Sequence, residues 1–207
     1  MIPVKILALR YIPGADPGLA QALGAPKGRT SLGILTTDCD DATYIALDAA
    51  TKAADVEVAY ARSFYAGAAN ASTPNAGEVI GILAGKSPGA VRSGMDAAIS
   101  ALGRIGFDEV NNVPYLAHTV SSVGTFLSGE AKVPLGSAIA YLIAPPLEGM
   151  YAMDAALKAA DVKLCKLYAP PSETNFGGGL LSGTQSACQA ACDAFANAVK
   201  EVAERPL

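Results

Sequence analysis

The nine-residue stretch DAATKAADV at residues 48–56 decides the fold, because it returns as DAALKAADV at residues 154–162. Eight of the nine letters agree, and the two copies are 106 positions apart in a chain of 207 residues. Both copies carry an aspartate and, four positions later, a lysine, which is the favourable order for an ion pair on one helix face. A helix repeated at about half the chain length predicts two similar domains.

The segments around the two helices follow the same order in each half of the chain. Hydrophobic runs and alternation predict strand, helix, strand, helix, strand, loop, strand and helix, twice in succession. Units of this kind, with helices covering a sheet, belong to the α/β class. Polar residues and Pro114 interrupt the pattern over residues 104–114. We therefore expect domains at residues 1–106 and 107–207.

Short polar motifs mark where the helices begin. A proline follows each of two predicted N-caps, Asp16 and Ser87. The acidic turn DCDD at residues 38–41 precedes the first repeated helix, and Asp38 and Asp41 are predicted to cap it. The apolar face of this helix is predicted to consist of Ile45, Ala49, Ala53 and Val56.

The composition excludes several classes of protein. Charged residues make up only 16% of the chain and hydrophobic residues 51%, whereas about 25% of an ordinary globular domain is charged, so we expect surface to be buried against other copies. No stretch approaches the ~18 apolar residues of a membrane span, and the N-terminus does not resemble a secretory signal. We expect a cytoplasmic protein without a membrane partner. A net charge of −4 without basic clusters argues against nucleic acid.

The cysteines do not form a recognisable metal or disulfide motif. Cys188 and Cys192 are four positions apart on a predicted helix, and His118 is the only histidine. A zinc site needs about four ligands, so buried thiols are the better interpretation and no metal site is predicted.

No motif assigns a covalent or metal-assisted reaction, and we predict no catalytic residue. The chain lacks GxSxG, HExxH and GxGxxG, and GILAGKSPGA at residues 81–90 lacks the glycine spacing of a phosphate-binding loop. The acidic turn could hold Mg²⁺, although helix capping is its simpler role. Asp40 would then be available for another task.

The sequence around both repeats resembles the bacterial microcompartment shell proteins. In that family a strand with the pattern LGxIxT precedes a helix ending AADxxxKAAxV, which residues 32–58 fit closely and residues 136–164 more loosely. The extra strand and helix before each pattern resemble the circularly permuted variant. Two permuted domains in one chain are similar to shell proteins of ethanolamine-utilising compartments. The resemblance implies two domains that are each a mainly antiparallel sheet flanked by helices.

The resemblance also implies a function. The chain would be a non-enzymatic shell tile, in which three copies with two domains each form a homotrimeric pseudohexamer that joins neighbouring shell proteins in a sheet. Lys52 and Lys158 match the lysine that the family places at the tile edge. No cofactor is required, but the compartment's lyase uses cobalamin, so cobalamin is a candidate for binding or transport.

The family's central pore is lined by the loops that correspond to residues 64–77 and 170–178. By resemblance, the longer first loop is expected to gate this pore for substrate or cofactor. The candidate pore residues are Phe64, Tyr65, Gly67, Asn70, Ser172, Glu173, Thr174, Asn175 and Phe176.

A second opening for small solutes is predicted within one subunit. Asp40 follows the strand–helix turn of the first repeat and Glu78 follows its long loop, so the two carboxylates could converge on an ammonium ion such as ethanolamine. Phe107 could supply an apolar wall. Alternatively, Asp40 caps the helix and Glu78 is solvated.

Two other classes of function stay open on the residues alone. One is a small-molecule-binding regulatory protein on a ferredoxin-like scaffold, without assembly. The other is an enzyme that uses Asp40 or Glu78 as a base.

Overall fold

The computed structural model describes residues 1–64, 77–170 and 175–207. These residues divide into two compact units. The N-terminal unit contains Pro3–Ile105 together with Gly124–Phe126, and the C-terminal unit contains Met1–Ile2, Gly106–Val123 and Leu127–Leu207. Each unit therefore includes a short segment from the other half of the sequence.

An antiparallel sheet of four strands forms the N-terminal unit. The strands are β1 (Ile6–Ile12), β2 (Ser31–Thr37), β3 (Val56–Ser63) and β4 (Val79–Gly85), in the spatial order β1–β2–β4–β3. The helices of this unit are α1 (Pro17–Ala22), α2 (Asp40–Ala53) and α3 (Pro88–Leu102).

Glycines in the two central strands allow the helices to approach closely. Gly33 of β2 faces Val91 and Met95 of α3, and Gly81 of β4 faces Leu47 of α2. A Cβ atom at Gly81 would lie 2.6 Å from Leu47 Cδ1, so a larger residue would push α2 away from the sheet. Because side chains alternate along a strand, the next residues point to the opposite face. There they form a small core with α1, made of Ala15, Ala20, Leu32, Ile82 and Ala84.

The C-terminal unit repeats this strand order and adds one short strand. Its spatial order is β5–β6–β7–β9–β8, and all pairings are antiparallel. The strands are β5 (Asp108–Val110), β6 (Val113–Val120), β7 (Ala138–Ala144), β8 (Val162–Tyr168) and β9 (Gly177–Gly183). The helices are α4 (Thr125–Ala131), α5 (Pro146–Ala159) and α6 (Gln185–Glu204).

The core of the C-terminal unit lies between the sheet and helices α5 and α6. Every residue of β7 is buried, and alternate residues of that strand meet small side chains of the two helices. Cys188 and Cys192 are part of this core, as predicted, and Phe195 lies one turn further along α6. Within the described ranges, no helix is both long and apolar enough to cross a membrane.

The predicted fold class is confirmed, and so are two of the predicted helix caps. Asp16 Oδ1 accepts hydrogen bonds from the backbone N–H groups of Gly18 and Leu19, at 2.9 and 3.1 Å. Ser87 Oγ accepts one from Ala90 N at 3.2 Å. Each cap therefore satisfies donors of the first turn that have no partner within the helix.

The predicted capping of α2 by acidic residues is wrong for Asp38 and holds for Asp41. Cys39 occupies the N-cap position and makes no capping hydrogen bond through its side chain. Asp38 Oδ1 instead accepts a hydrogen bond of 2.8 Å from Lys5 N, ahead of β1. Asp41 lies within the first turn of α2, where its negative charge is close to the positive end of the helix dipole.

The predicted apolar face of α2 is only partly right, since α2 ends at Ala53 and Val56 already belongs to β3. Ile45 is buried as expected, but Ala53 is exposed and Ala49 is partly exposed. The helix is covered on more than one side, because Leu47 packs against β4 while Tyr44 contacts the Gly124–Phe126 segment. The buried residues of α2 are Asp40, Asp41, Ala42, Thr43, Ile45, Ala46, Leu47, Asp48 and Ala50.

Candidate functional site

The sheet of the N-terminal unit brings two acidic segments together. Strand β2 ends at Thr37, next to the start of β4, since Thr37 pairs with Val79. The backbone N–H of Glu78 donates a hydrogen bond of 2.8 Å to the carbonyl of Thr37. The acidic turn at residues 38–41 and Glu78 therefore lie at the same edge of the sheet, as the sequence predicts.

Asp40 is the most enclosed carboxylate of this group, with 7% of its surface exposed. Its Oδ1 atom accepts a hydrogen bond of 2.9 Å from Asp41 N, and Ser63 also hydrogen-bonds the carboxylate. Burial raises the pKa of Asp40, while the hydrogen bonds from Asp41 and Ser63 oppose this rise. Asp40 thus participates in the first turn of α2 without being its cap.

Glu78 is half-buried beside Asp40. Burial, followed by the negative charges of Asp40 and Asp38, raises the pKa of Glu78 from 4.5 to about 7. A carboxyl with such a pKa changes its charge near neutral pH. The alternative in which Glu78 is simply solvated does not hold, because the residue is half-buried.

The hydroxyl groups of Tyr44 and Ser63 complete this surface, although no motif in the sequence points to them. Tyr44 donates a hydrogen bond of 2.9 Å from its hydroxyl to Ser63 Oγ, and Ser63 is the last residue of β3. Thr37 and Thr43 share a buried hydroxyl hydrogen bond of 2.7 Å behind the acidic turn. In the sequence, these four residues stand out only by lying near the ends of β2 and β3 or near the start of α2. Many residues without a functional role occupy such positions, so the sequence does not identify them. We refer to Asp40, Ser63, Tyr44 and Glu78 as the acidic edge.

Phe107, the predicted apolar wall, belongs to the C-terminal unit. It is buried there, and its ring lies 5.8 Å from the ring of Phe176, measured between centroids. The acidic edge belongs to the N-terminal unit. A joint site of Asp40, Glu78 and Phe107 therefore stays a prediction.

The described pore-loop residues lie where the loops leave the sheets. Phe64 is half-buried and its N–H donates a hydrogen bond of 3.0 Å to the carbonyl of Glu78, which closes the base of the first loop. Asn175 adopts a φ of 65°, a conformation common for asparagine in turns, and precedes Phe176 and β9. The remaining predicted residues lie outside the described ranges: Tyr65, Gly67, Asn70, Ser172, Glu173 and Thr174.

The two predicted edge lysines have different surroundings. Lys52 Nζ lies 3.1 Å from Asp48 Oδ2, and that aspartate is fully buried. Lys158 Nζ lies 2.6 Å from Asp154 Oδ2, and both side chains are largely exposed. The predicted ion pairs are confirmed, while the edge role of the lysines stays a prediction.

Metal chemistry finds no support in the described residues. No group of three or more histidine, cysteine, aspartate and glutamate side chains is arranged there to hold a metal ion. Burial raises the pKa of Cys39 and of Cys192, the latter to about 11, so both thiols are protonated at neutral pH. His118 lies in β6, opposite Tyr141 of β7.

The fold and its internal repeat point to one class of protein, and comparison with known proteins shows which. A family model described as the BMC domain matches residues 31–114. Together with the full-length relatives below, this match shows that the chain belongs to the bacterial microcompartment shell proteins. This family is structural and non-enzymatic, so the interpretations as a regulator or an enzyme are set aside.

Within that family the chain is similar to the shell protein EutL. It is 56% identical to EutL of Clostridium perfringens and 47% identical to EutL of Escherichia coli, covering 100% of this chain and 97% and 96% of those proteins. The crystal structure of the ethanolamine utilization protein EutL from Leptotrichia buccalis superposes with a TM-score of 0.96 at 58% identity. That match covers 100% of this chain and 97% of the crystallised one.

Proposed function

We propose that three copies of this chain form a pseudohexameric tile in the shell of a cytoplasmic compartment that metabolises ethanolamine, with a gated central pore at the middle of the tile. The observation that carries this proposal is the tandem repeat of one strand order in a chain that aligns over its whole length with EutL. Two domains per chain reach sixfold pseudosymmetry with three copies. The low fraction of charged residues supports extensive burial of surface between copies.

Sedimentation and electron microscopy test the tile directly. Purified protein at micromolar concentration should sediment as a trimer and, at higher concentration, form flat sheets. A stable monomer in sedimentation would contradict the trimer. Trimers that never form sheets under crowding would contradict the shell role while leaving the trimer intact.

The acidic edge supports a second proposal, the binding of a small ammonium ion. Asp40 and Glu78 supply two carboxylates, the hydroxyl group of Ser63 lies beside Asp40, and the hydroxyl group of Tyr44 is hydrogen-bonded to Ser63. A charge-assisted hydrogen bond contributes about 1.5–3 kcal/mol, enough for weak binding of protonated ethanolamine. In the second repeat the corresponding turn has Glu148 as its only acid, so one such site per chain is expected.

Calorimetry with ethanolamine distinguishes this site from general attraction to negative charge. Glu78→Gln and Asp40→Asn should each abolish measurable binding, whereas Glu148→Gln should bind like the wild type. Equal binding by all four proteins would exclude the acidic edge, and no binding by the wild type would exclude the ligand.

Cobalamin passage or binding stays a proposal of its own. It is supported by the similarity to EutL and by the candidate pore loops at residues 64–77 and 170–178. Equilibrium dialysis of the trimer against cobalamin measures it, and an absence of retention at millimolar protein would argue for passage without a binding site.

A further inference from the structure

The two copies of the repeated helix differ in what covers them. Along one face of α2, the residues at positions 41, 45 and 48 are buried, with exposed fractions of 6%, 3% and 0%. The matching residues of α5 are Leu147, Tyr151 and Asp154, of which 65%, 49% and 64% is exposed. Their spacing of four and three residues places them in one stripe along the helix. We call these three residues the α5 stripe.

A short segment of the chain covers α2 in the N-terminal unit. Gly124 N donates a hydrogen bond of 2.8 Å to Asp48 Oδ2, and Thr125 N donates one of 3.2 Å to Thr51 Oγ1. The ring of Phe126 lies 5.9 Å from the ring of Tyr44. Gly124 fits closely, since a Cβ atom there would lie 2.8 Å from the carbonyl oxygen of Asp48.

This covering segment has a counterpart in the first repeat. Gly124–Phe126 lies between β6 and β7, where it leads into and begins α4. Residues 13–19 hold the same place between β1 and β2, where they lead into and begin α1. We call residues 13–19 the α1 lead-in.

The α1 lead-in has the features of a docking segment without a visible docking partner. Leu19 exposes 47% of its surface, although it is a large apolar residue. Among the described residues, no heavy atom lies within 4 Å of the place where a Cβ atom of Gly14 would be. By contrast, Gly124, which directly precedes α4 as Asp16 directly precedes α1, is in close contact with α2. In the part of the chain that the structure describes, the α1 lead-in and the α5 stripe therefore both present exposed surface.

We propose that the α1 lead-in of one copy docks on the α5 stripe of a second copy of this chain. Leu19 packs against Tyr151 and Leu147, and Asp154 accepts a backbone N–H of the lead-in, as Asp48 accepts that of Gly124. The proposal deepens the proposed trimer and rests on it.

The contact is heterologous, since two different surfaces meet. A contact of this kind passes from each copy to the next, and it closes into a ring when the rotation between copies permits it. Every subunit boundary of the tile should therefore contain the α1 lead-in of one copy and the α5 stripe of the next.

Cross-linking between two single variants tests this pairing. Leu19→Cys and Tyr151→Cys chains are purified separately, dissociated, mixed and allowed to reassemble. The reassembled protein is then treated with a short bis-maleimide. The mixture should give a covalent dimer, whereas each variant alone should give no more than the wild type, whose Cys39 and Cys165 are partly exposed and set the background. Equal cross-linking in the separate variants, or none in the mixture, overturns the proposal.

A charge placed in the stripe provides an independent measurement. Tyr151→Asp should shift the trimer to monomers in sedimentation, with an unchanged circular dichroism spectrum. Leu135→Asp is the matched control, because Leu135 is 65% exposed and lies outside the stripe and the lead-in; it should remain trimeric. A trimeric Tyr151→Asp, or a monomeric Leu135→Asp, overturns the assignment of the stripe. If the wild type is a trimer but both tests on the variants fail, the docking proposal is overturned and the proposed tile remains. If the wild type is a monomer, the docking proposal and the proposed tile are both refuted.

Discussion

At the scale of single residues, Glu78 links the acidic edge to pH. Its pKa is about 7 in the folded chain and 4.5 for the unperturbed group, so the folded state holds a proton that the unfolded state has lost between these values. The free energy of unfolding contributed by this residue therefore falls as pH rises from about 4.5 through 7, and is constant above.

The first prediction follows from this fall in the free energy of unfolding with rising pH. Glu78→Gln removes the cost of a buried charge, so the variant should be more stable than the wild type at pH 8, on the order of 1 kcal/mol after solvent screening. At pH 4 the two proteins should unfold at the same urea concentration, because Glu78 is then protonated in both states. Urea titrations at both pH values measure this, and Glu148→Gln serves as the control. A stability gain that is equal at both pH values would show that charge is not its cause.

The second prediction concerns the close approach at Gly124. A methyl group there would collide with the backbone of α2 at Asp48 and with Thr51 Oγ1, so Gly124→Ala should destabilise the chain by about 1–3 kcal/mol. Gly129→Ala, in α4, is the matched control, because no heavy atom of the described residues lies within 4 Å of its Cβ position and alanine favours a helix. Its melting temperature should be unchanged or slightly higher. A tolerated Gly124→Ala would mean that the segment does not pack as described.

At the scale of secondary-structure elements, the start of α2 gives the third prediction. Cys39 is a poor N-cap, and serine in its place can accept a hydrogen bond from the first turn. Cys39→Ser should therefore raise the free energy of unfolding by about 0.5–1 kcal/mol, whereas Cys39→Ala should not. Denaturation at equal protein concentration measures the difference. If alanine stabilises as much as serine, the gain comes from removing the thiol and not from capping.

The elements that the sequence predicts well are those with strong local patterns. The duplicated helix appears as α2 and α5, and the strands and helices around each copy follow the predicted order, because their apolar runs end at polar turns. Strand β5 was not predicted, since three residues are too few for periodicity to show. The cap of α2 was misassigned because four neighbouring residues, three of them acidic, offer alternative starts, and the hydrogen bond from Lys5 to Asp38 is a long-range contact.

The candidate site was predictable only where local sequence patterns mark the ends of strands and helices. Asp40 and Glu78 were selected because they flank adjacent elements, and the pairing of β2 with β4 brings those ends together. Ser63 and Tyr44 were missed, because their contact joins positions 19 residues apart and has no local signature. The different cover of α2 and α5 was also invisible, because Asp48 and Asp154 are the same residue in the repeated stretch and no local pattern shows that only Asp48 is buried.

At the scale of the whole molecule, the tile edge gives the fourth prediction, and the structure shows which lysine tests it cleanly. Lys52 is paired with the fully buried Asp48, so Lys52→Asp would place two like charges together and leave a buried carboxylate without its cation. That variant should lose stability in addition to any effect on sheets. Lys158 is paired with the exposed Asp154, and exposed ion pairs contribute only about 0–1 kcal/mol.

Lys158→Asp should therefore keep the fold and the trimer while preventing the growth of flat sheets, because it reverses a charge at the predicted contact between tiles. Electron microscopy measures the sheets, and sedimentation measures the trimer in the same preparation. Lys200→Asp, an exposed lysine on α6, is the control for a change in net charge and should still form sheets. If Lys158→Asp dissolves the trimer, the lysine lies with its neighbour Asp154 in the boundary between copies, and the edge role inferred from the family does not apply to it. If sheets grow normally, charge at this position does not govern the joining of tiles.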